Sequence, residues 1–265
     1  MNEADERVAV LGVGKGGASV VRRLPECQGA AQLDLAVADS DAASLRECPE
    51  IRTILLGKGL NCAGGCGGEV TLGERATAAA AADLTDFIRN ADLLIVTVGL
   101  GGGAGTGSLA ALARYALSVH VPAVFLVTLP FAFEGAWRGA KAREALPPLR
   151  ELADAVIAVP NDLLFASFAA DLSAAQAFSL ADRVMAEAIL GLSGMARADR
   201  LLAADFAVIR EQLHTEHDSC SLAVGRGSGP DRLKGAVQSF IECPFLGGRE
   251  ALRETVAAVV TVGVN

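Results

Sequence analysis

Residues 99–108, GLGGGAGTGS, constrain this chain more than any other stretch of its length. They follow an apolar, strand-like segment (93–98) and precede a helix-like one (109–117). Six glycines at a strand-to-helix junction let the backbone curl tightly, with several peptide N–H groups aimed at one point. That point is also the positive end of the following helix, so the ligand such a turn suits is a phosphate chain. Thr106 and Ser108 add hydroxyl donors. A flexible linker has a similar composition, but linkers rarely fit so neatly between a strand and a helix.

The rest of the first 160 residues repeats this alternation. Strand patterns cover 7–13, 33–38, 52–56, 93–98, 123–129 and 155–159. Helix patterns cover 17–24, 74–90, 109–117 and 137–153, and a glycine-rich loop covers 57–68. Such an order predicts an α/β fold, a parallel sheet with helices on both faces, in which ligands bind at the carboxyl ends of the strands. Every glycine cluster lies at such an end. After Asn161 the pattern changes: 172–192 reads as one long helix, with Ala177, Leu180, Ala181, Val184, Ala188 and Leu192 near helical spacing. A helix at 205–213 follows. Beyond residue 219 a strand, a helix (231–241) and a last strand (256–264) make a thin second lobe.

At 265 residues and 52% hydrophobic, the chain has material for one large domain and a small one. A formal charge of -8 argues against nucleic acid or an anionic membrane as the main partner. A polyphosphate would therefore be held by backbone dipoles, a metal ion and a few placed arginines. The acidic start, MNEADER, is not a secretory signal. Two uncharged stretches, 93–113 and 115–133, are interrupted by the glycines and by His120, Pro122 and Pro130, so neither reads as a membrane span, and a cytoplasmic location is expected. Cys62 and Cys66 are close enough to share a metal, but no second pair stands at zinc-site spacing. With Cys27, Cys48, Cys220 and Cys243 scattered, reduced thiols and no protein metal site are expected.

Residues 12–17, GVGKGG, fit the dinucleotide pattern G-x-G-x-x-G, and Asp39 ends the second strand where a ribose-binding acid would stand. A nicotinamide oxidoreductase follows from that loop alone. It leaves the other glycine clusters unexplained, and no catalytic His, Lys or Tyr arrangement is evident. A P-loop is a weaker reading still, because Lys15 is followed by Gly16 rather than Ser or Thr and no G-x-x-x-x-G-K-[ST] is present. All the glycine loops taken together resemble the tubulin/FtsZ superfamily of GTP-dependent polymerising proteins, and the FtsZ branch in particular, over 7–264. Gly101, Gly102, Gly103, Ala104, Gly105, Thr106 and Gly107 are similar to that family's GGGTGTG signature. Gly12, Gly14, Gly16 and Gly17 resemble its first phosphate loop, with Lys15 and Ala18 in place of glycines. Residues 38–41, with Asp39, resemble its second loop; 65–73, with Gly67 and Gly68, its third, near the γ-phosphate.

The resemblance implies further roles. Glu134, in a P-F-x-F-E-G stretch, would contact ribose, Arg138 the nucleotide, and Asn161, in P-N-D, the guanine. Phe178 and Asp182 match the start of the family's central helix. Independently, a carboxylate can accept the N1–H and 2-amino donors of guanine together, and residues four apart share a helix face. The same spacing also fits an amphipathic helix with a core Phe and a surface Asp; Asn161 and the glycine loops in register favour the base-binding alternative. In the family, a loop after the central helix reaches the next subunit's nucleotide with acids in N-x-D-F-A-D. Asp205 keeps the first acid here, while Ala203 and Val208 replace the amide and the second acid, which implies slower turnover, since positioning groups of this kind are worth about 10²–10⁴-fold. Leu129 replaces a cation in the family's T-R/K-P-F, and Leu163 a basic residue after P-N-D.

The expected architecture is a Rossmann-like parallel-sheet GTPase domain (1–171), a long central helix with the catalytic loop (172–213), and a shortened α+β lobe (214–265), by nature or by truncation. The implied ligands are GTP or GDP with Mg²⁺ bridging phosphate oxygens. The implied partners are further copies of the chain, as a head-to-tail polymer or dimer, and a full-length FtsZ-like relative. Nucleic acid and direct membrane insertion are not expected. A nucleotide-dependent assembly or regulatory protein with little GTPase activity is the alternative.

Overall fold

The fold is described from a computed structural model covering residues 6–27, 29–60, 62, 64–163, 173–194 and 220–246, with 250, 252, 253, 255, 260 and 262. Six strands form one sheet: β1 (Val8–Val13), β2 (Leu33–Asp39), β3 (Arg52–Leu55), β4 (Leu93–Gly99), β5 (Ala123–Leu129) and β6 (Ala155–Pro160). All neighbours are parallel, in the order β3-β2-β1-β4-β5-β6. β1 is buried at every position and β4 at all but Gly99, as a strand covered on both faces requires.

Side-chain alternation sorts these strands onto two cores. On one face Ala9, Leu11 and Val13 pack with helices α3 (Val70–Ala79), α4 (Ala81–Ile88), α5 (Gly103–Ser118) and α6 (Ala136–Leu152), through Ala76, Phe87, Leu112 and Leu146 among others. On the other, Val8 and Val10 pack with α1 (Gly14–Val21), α2 (Ala42–Arg46) and α7 (Ala174–Ser193), through Val21, Leu45, Met185 and Ile189. The chain runs outward from β1 to β3, then returns to β4 beside β1. The strand order therefore reverses between β1 and β4, which opens a crevice beyond their carboxyl ends.

Three local expectations change. The helix after the glycine cluster begins at Gly103 rather than 109, so half of the cluster is helix. Glycine is unfavourable there by about 1 kcal/mol per residue relative to alanine, but close packing offsets this. A Cβ on Gly107 would overlap the Val70 carbonyl and lie 2.7 Å from the Glu74 nitrogen, so α3 and α5 cross with backbones in contact. Second, the 74–90 helix begins earlier, at Val70, and breaks at Ala80 into α3 and α4; the alanine-rich sequence offers no reason for the break. Third, α7 starts after a capping box in which Ser173 and Gln176 satisfy one another's backbone N–H groups. Helix α8 (Arg232–Ile241) matches its expected span. Cys220 forms a single parallel bridge to Ile157, with no longer ladder among the described residues. The segments 205–213 and 256–259 lie outside those residues.

Candidate nucleotide site

A cavity of about 730 Å³ occupies the crevice between β1 and β4. It takes its walls from the carboxyl ends of the strands and the turns that follow them, which the parallel sheet places at one rim. Gly14 and Gly16 come from the turn after β1, Asp39 from the end of β2, Gly67 and Gly68 from the loop before α3. Gly101, Gly102, Gly103, Ala104 and Gly105 come from the turn after β4. Glu134 and Arg138 follow β5, and Asn161 follows β6; Phe178 and Asp182 reach in from α7. Fifteen of the residues expected from sequence thus line one space.

Four others do not. A Cβ on Gly12 would lie 2.5 Å from the Gly17 carbonyl oxygen, and one on Gly17 would lie 2.9 Å from the Gly12 carbonyl carbon, so this pair lets α1 close onto β1. Gly107 serves the α3–α5 crossing. Thr106 faces back into its own loop, where its Oγ1 accepts the Gly101 N–H at 2.9 Å. Ser108 is fully buried: its hydroxyl donates to the Ala104 carbonyl at 2.6 Å and pairs with Thr77 Oγ1 at 2.8 Å. The expectation that Ser108 serves a phosphate is therefore corrected; Thr106 does not line the cavity, although accepting the Gly101 N–H leaves its own O–H proton free. Both hydroxyls stitch the turn that shapes the cavity wall. Asp205 lies outside the described residues.

Two helices begin at the cavity. α1 starts at Gly14 and α5 at Gly103; neither has a side-chain cap, and neither has an acidic residue in its first turn. Their first N–H groups and dipoles point positive charge into the same space. Gly14 (φ 67°) and Gly101 (φ 92°) hold left-handed turns that a side chain would strain.

Phe178 and Asp182 line the cavity from α7. Phe178 packs edge-on against Phe131 and Phe133, at 5.2 and 6.0 Å between centroids, and is itself 40% exposed. One turn later, Asp182 Oδ2 accepts the Ser19 hydroxyl at 2.6 Å, with Arg23 Nε 3.7 Å away. Burial pushes the Asp182 carboxyl above its ordinary range, against the lowering effect of Ser19 and Arg23. Asn161 is buried, and its Oδ1 has no hydrogen-bond partner. A buried acceptor left this way costs about 1–3 kcal/mol, and Asn161 and Asp182 line the same cavity, so a ligand with N–H donors suits it. A purine edge with adjacent ring N–H and amino donors fits.

Glu134 is already engaged: Oε1 accepts the Phe131 N–H at 2.9 Å and Oε2 the Arg138 guanidinium at 2.7 Å. Sequence reasoning missed several lining residues. Ser19 stands one turn after Lys15 on α1. Cys66, whose thiol burial pushes up, lies 3.2 Å from Ser40 Oγ. Trp137 carries the Lys141 ammonium 3.3 Å from its ring centroid, and Lys141 also donates to the Gly68 carbonyl. None of the three lies in a recurrent pattern; only the unusual Trp one residue before Arg138 gave a signal. Among the described residues no helix is long and apolar enough to cross a membrane.

A doubly wound sheet with glycine-rich turns and a cavity at its switch point defines an α/β protein with a ligand-sized crevice. The comparisons with known proteins narrow this. The model of the Tubulin/FtsZ family, GTPase domain, matches residues 7–169, and the chain belongs to that family. It is 30% identical over 240 residues to the cell division protein FtsZ of Helicobacter pylori, covering 91% of this chain and 62% of that protein. The chain thus spans about three fifths of the length of this curated relative. Its fold superposes on an empty FtsZ dimer from M. jannaschii with a TM-score of 0.85, at 30% identity over 92% of this chain and 71% of that one. CetZ2 from Haloferax volcanii, in a GTPγS-bound protofilament, matches with a TM-score of 0.67 at 25% identity, over 77% of this chain and 62% of that one.

Proposed function

We propose that this protein binds GTP in the β1–β4 crevice and assembles head to tail in the cytoplasm, with the nucleotide enclosed between successive copies. The observation that carries this reading is a single cavity lined by the uncapped starts of α1 and α5 and by Asn161, Phe178 and Asp182, with Asn161 Oδ1 left without a hydrogen-bond partner. Phosphates would take the N–H groups of the α1 and α5 starts, with Mg²⁺ bridging their oxygens. Phe178 would stack on the base while Asp182 and Asn161 accept its N1–H and 2-amino protons. Ribose would lie near Glu134 and Arg138. The relatives seen as a dimer and as a protofilament support self-assembly, and a repeated heterologous contact gives open filaments. In this reading residues 1–171 bind nucleotide, 172–213 carry the central helix and Asp205, which acts on the neighbouring copy's γ-phosphate, and 214–265 form the second lobe.

Val208 and Ala203, where the family carries an acid and an amide, favour a second reading in which the protein assembles on GTP but scarcely hydrolyses it.

Calorimetric titration with GTP, ITP and ATP tests the base assignment. GTP should bind most tightly, ITP, which lacks the 2-amino group, about tenfold more weakly, and ATP negligibly. Equal affinity for GTP and ATP would remove the assignment. Phosphate release measured against protein concentration separates the two readings. A rise steeper than linear, lost in Asp205→Ala with GTP affinity kept, supports shared sites; negligible turnover at high concentration supports the non-hydrolysing form.

A further inference from the structure

The charges around the cavity do not balance toward an anion. Four carboxylates line it, Asp39, Asp41, Glu134 and Asp182, against two cations, Lys15 and Arg138. Each carboxylate has an internal task. Asp39 accepts the Asp41 N–H at 3.1 Å, Asp41 caps α2 through the Ala43 N–H, Asp182 holds Ser19, and Glu134 holds Arg138. Arg138 is thereby committed to Glu134. Lys15 alone among the described lining cations has no ion pair or hydrogen bond.

Its position is also costly. Lys15 is the second residue of α1, where the helix dipole disfavours a cation, and no acid stands in the first turn of α1 or α5 to offset it. Its glycine neighbours Gly14 and Gly16 shape the turn without shielding it. Lys15 is exposed and lines the cavity that the starts of α1 and α5 also line, so a bound anion there would give it a partner. We propose that Lys15 is a phosphate-binding residue, supplying counter-charge that a bound nucleotide would otherwise take wholly from a divalent cation. This rests on the nucleotide reading of the same cavity, and it makes triphosphate binding partly independent of Mg²⁺.

Full-length wild type, Lys15→Gln and Lys15→Arg are titrated with GTP, guanosine and inorganic tripolyphosphate, each with Mg²⁺ and with EDTA. Lys15→Gln should weaken GTP and tripolyphosphate by about 10- to 100-fold in EDTA, and less with Mg²⁺. Guanosine should bind as it does to wild type, and Lys15→Arg should keep the affinity. The nucleotide-free Lys15→Gln protein should melt about 1–3 °C higher than wild type, because the charge conflict with α1 is gone. A lysine that merely props the fold would lower the melting temperature instead, which overturns the proposal. Unchanged tripolyphosphate and GTP affinity in Lys15→Gln overturns it too, while leaving the nucleotide reading standing. Wild type that binds tripolyphosphate but neither GTP nor guanosine removes the guanine reading and keeps Lys15 under test by the tripolyphosphate arm. Wild type that binds none of the three removes both.

Discussion

The Ser19 hydroxyl on α1 donates to Asp182 Oδ2 on α7 at 2.6 Å, tying the helix that opens at the glycine turn to the helix that carries the base-side carboxylate. With Arg23 3.7 Å from the same oxygen, one carboxylate oxygen serves the fold and Oδ1 is left for a ligand. Two proposed halves of one nucleotide site are thus set against each other, with Arg23 adding a second tie by donating to Ser179 Oγ at 2.7 Å.

That arrangement gives a pH dependence. Burial raises the Asp182 pKa, so ionising it removes stability from the nucleotide-free protein. The stability is present below the ordinary carboxylate range and is lost as pH rises through the raised value. Asp182→Asn should therefore melt at least as high as wild type at neutral pH, with the two converging at acidic pH. GTP binding should follow the opposite sign. Wild-type affinity falls on acidification through the raised pKa, whereas Asp182→Asn binds about 10- to 100-fold more weakly at neutral pH and shows no such fall. Melting curves and GTP titrations across pH check both.

Glycines that shape the wall and glycines that pack the fold should separate cleanly. Gly107→Ala forces a Cβ into the α3 backbone and should cost about 1–3 kcal/mol of stability. Gly102 has φ -86° and nothing within 4 Å of where a Cβ would stand. Gly102→Ala should stay within about 0.5 kcal/mol of wild type and lose about tenfold or more in GTP affinity, because the new methyl stands where a phosphate must approach the backbone. Paired denaturation and binding curves decide; equal stability loss in both variants would contradict the packing assignment.

Lys141 links α6 to the third glycine loop by capping the Trp137 ring and donating to the Gly68 carbonyl. Trp137 is the single tryptophan of the chain, so its emission reports this corner alone. Lys141→Met keeps the apolar stem but removes the charge. It should shift the Trp137 emission, speed amide exchange near Gly68, and cost about 0.5–1 kcal/mol. An unchanged spectrum would show that the contact is not held in solution.

Much of this was legible before any coordinates. The strand patterns at 93–98 and 123–129 match β4 and β5 within a residue, because a continuous apolar run bounded by turn residues is written locally. The glycine clusters pointed to one rim because a parallel sheet puts every strand-to-helix turn on the same side. Phe178 and Asp182, one helical turn apart, do line one cavity.

Local sequence carries periodicity, turn chemistry and the order of the elements, and these fix a doubly wound sheet with a crevice at its centre. It cannot say what stands opposite a residue, since that neighbour is distant in the chain. Gly12 and Gly14 look alike in the string, yet one admits a helix against a strand and the other faces the cavity. Ser108 looks like a phosphate donor until its proton is seen to go to the Ala104 carbonyl, and Asn161 becomes informative only when its oxygen is found buried without a partner. Burial and pairing are properties of the packed chain, so tertiary structure decided them.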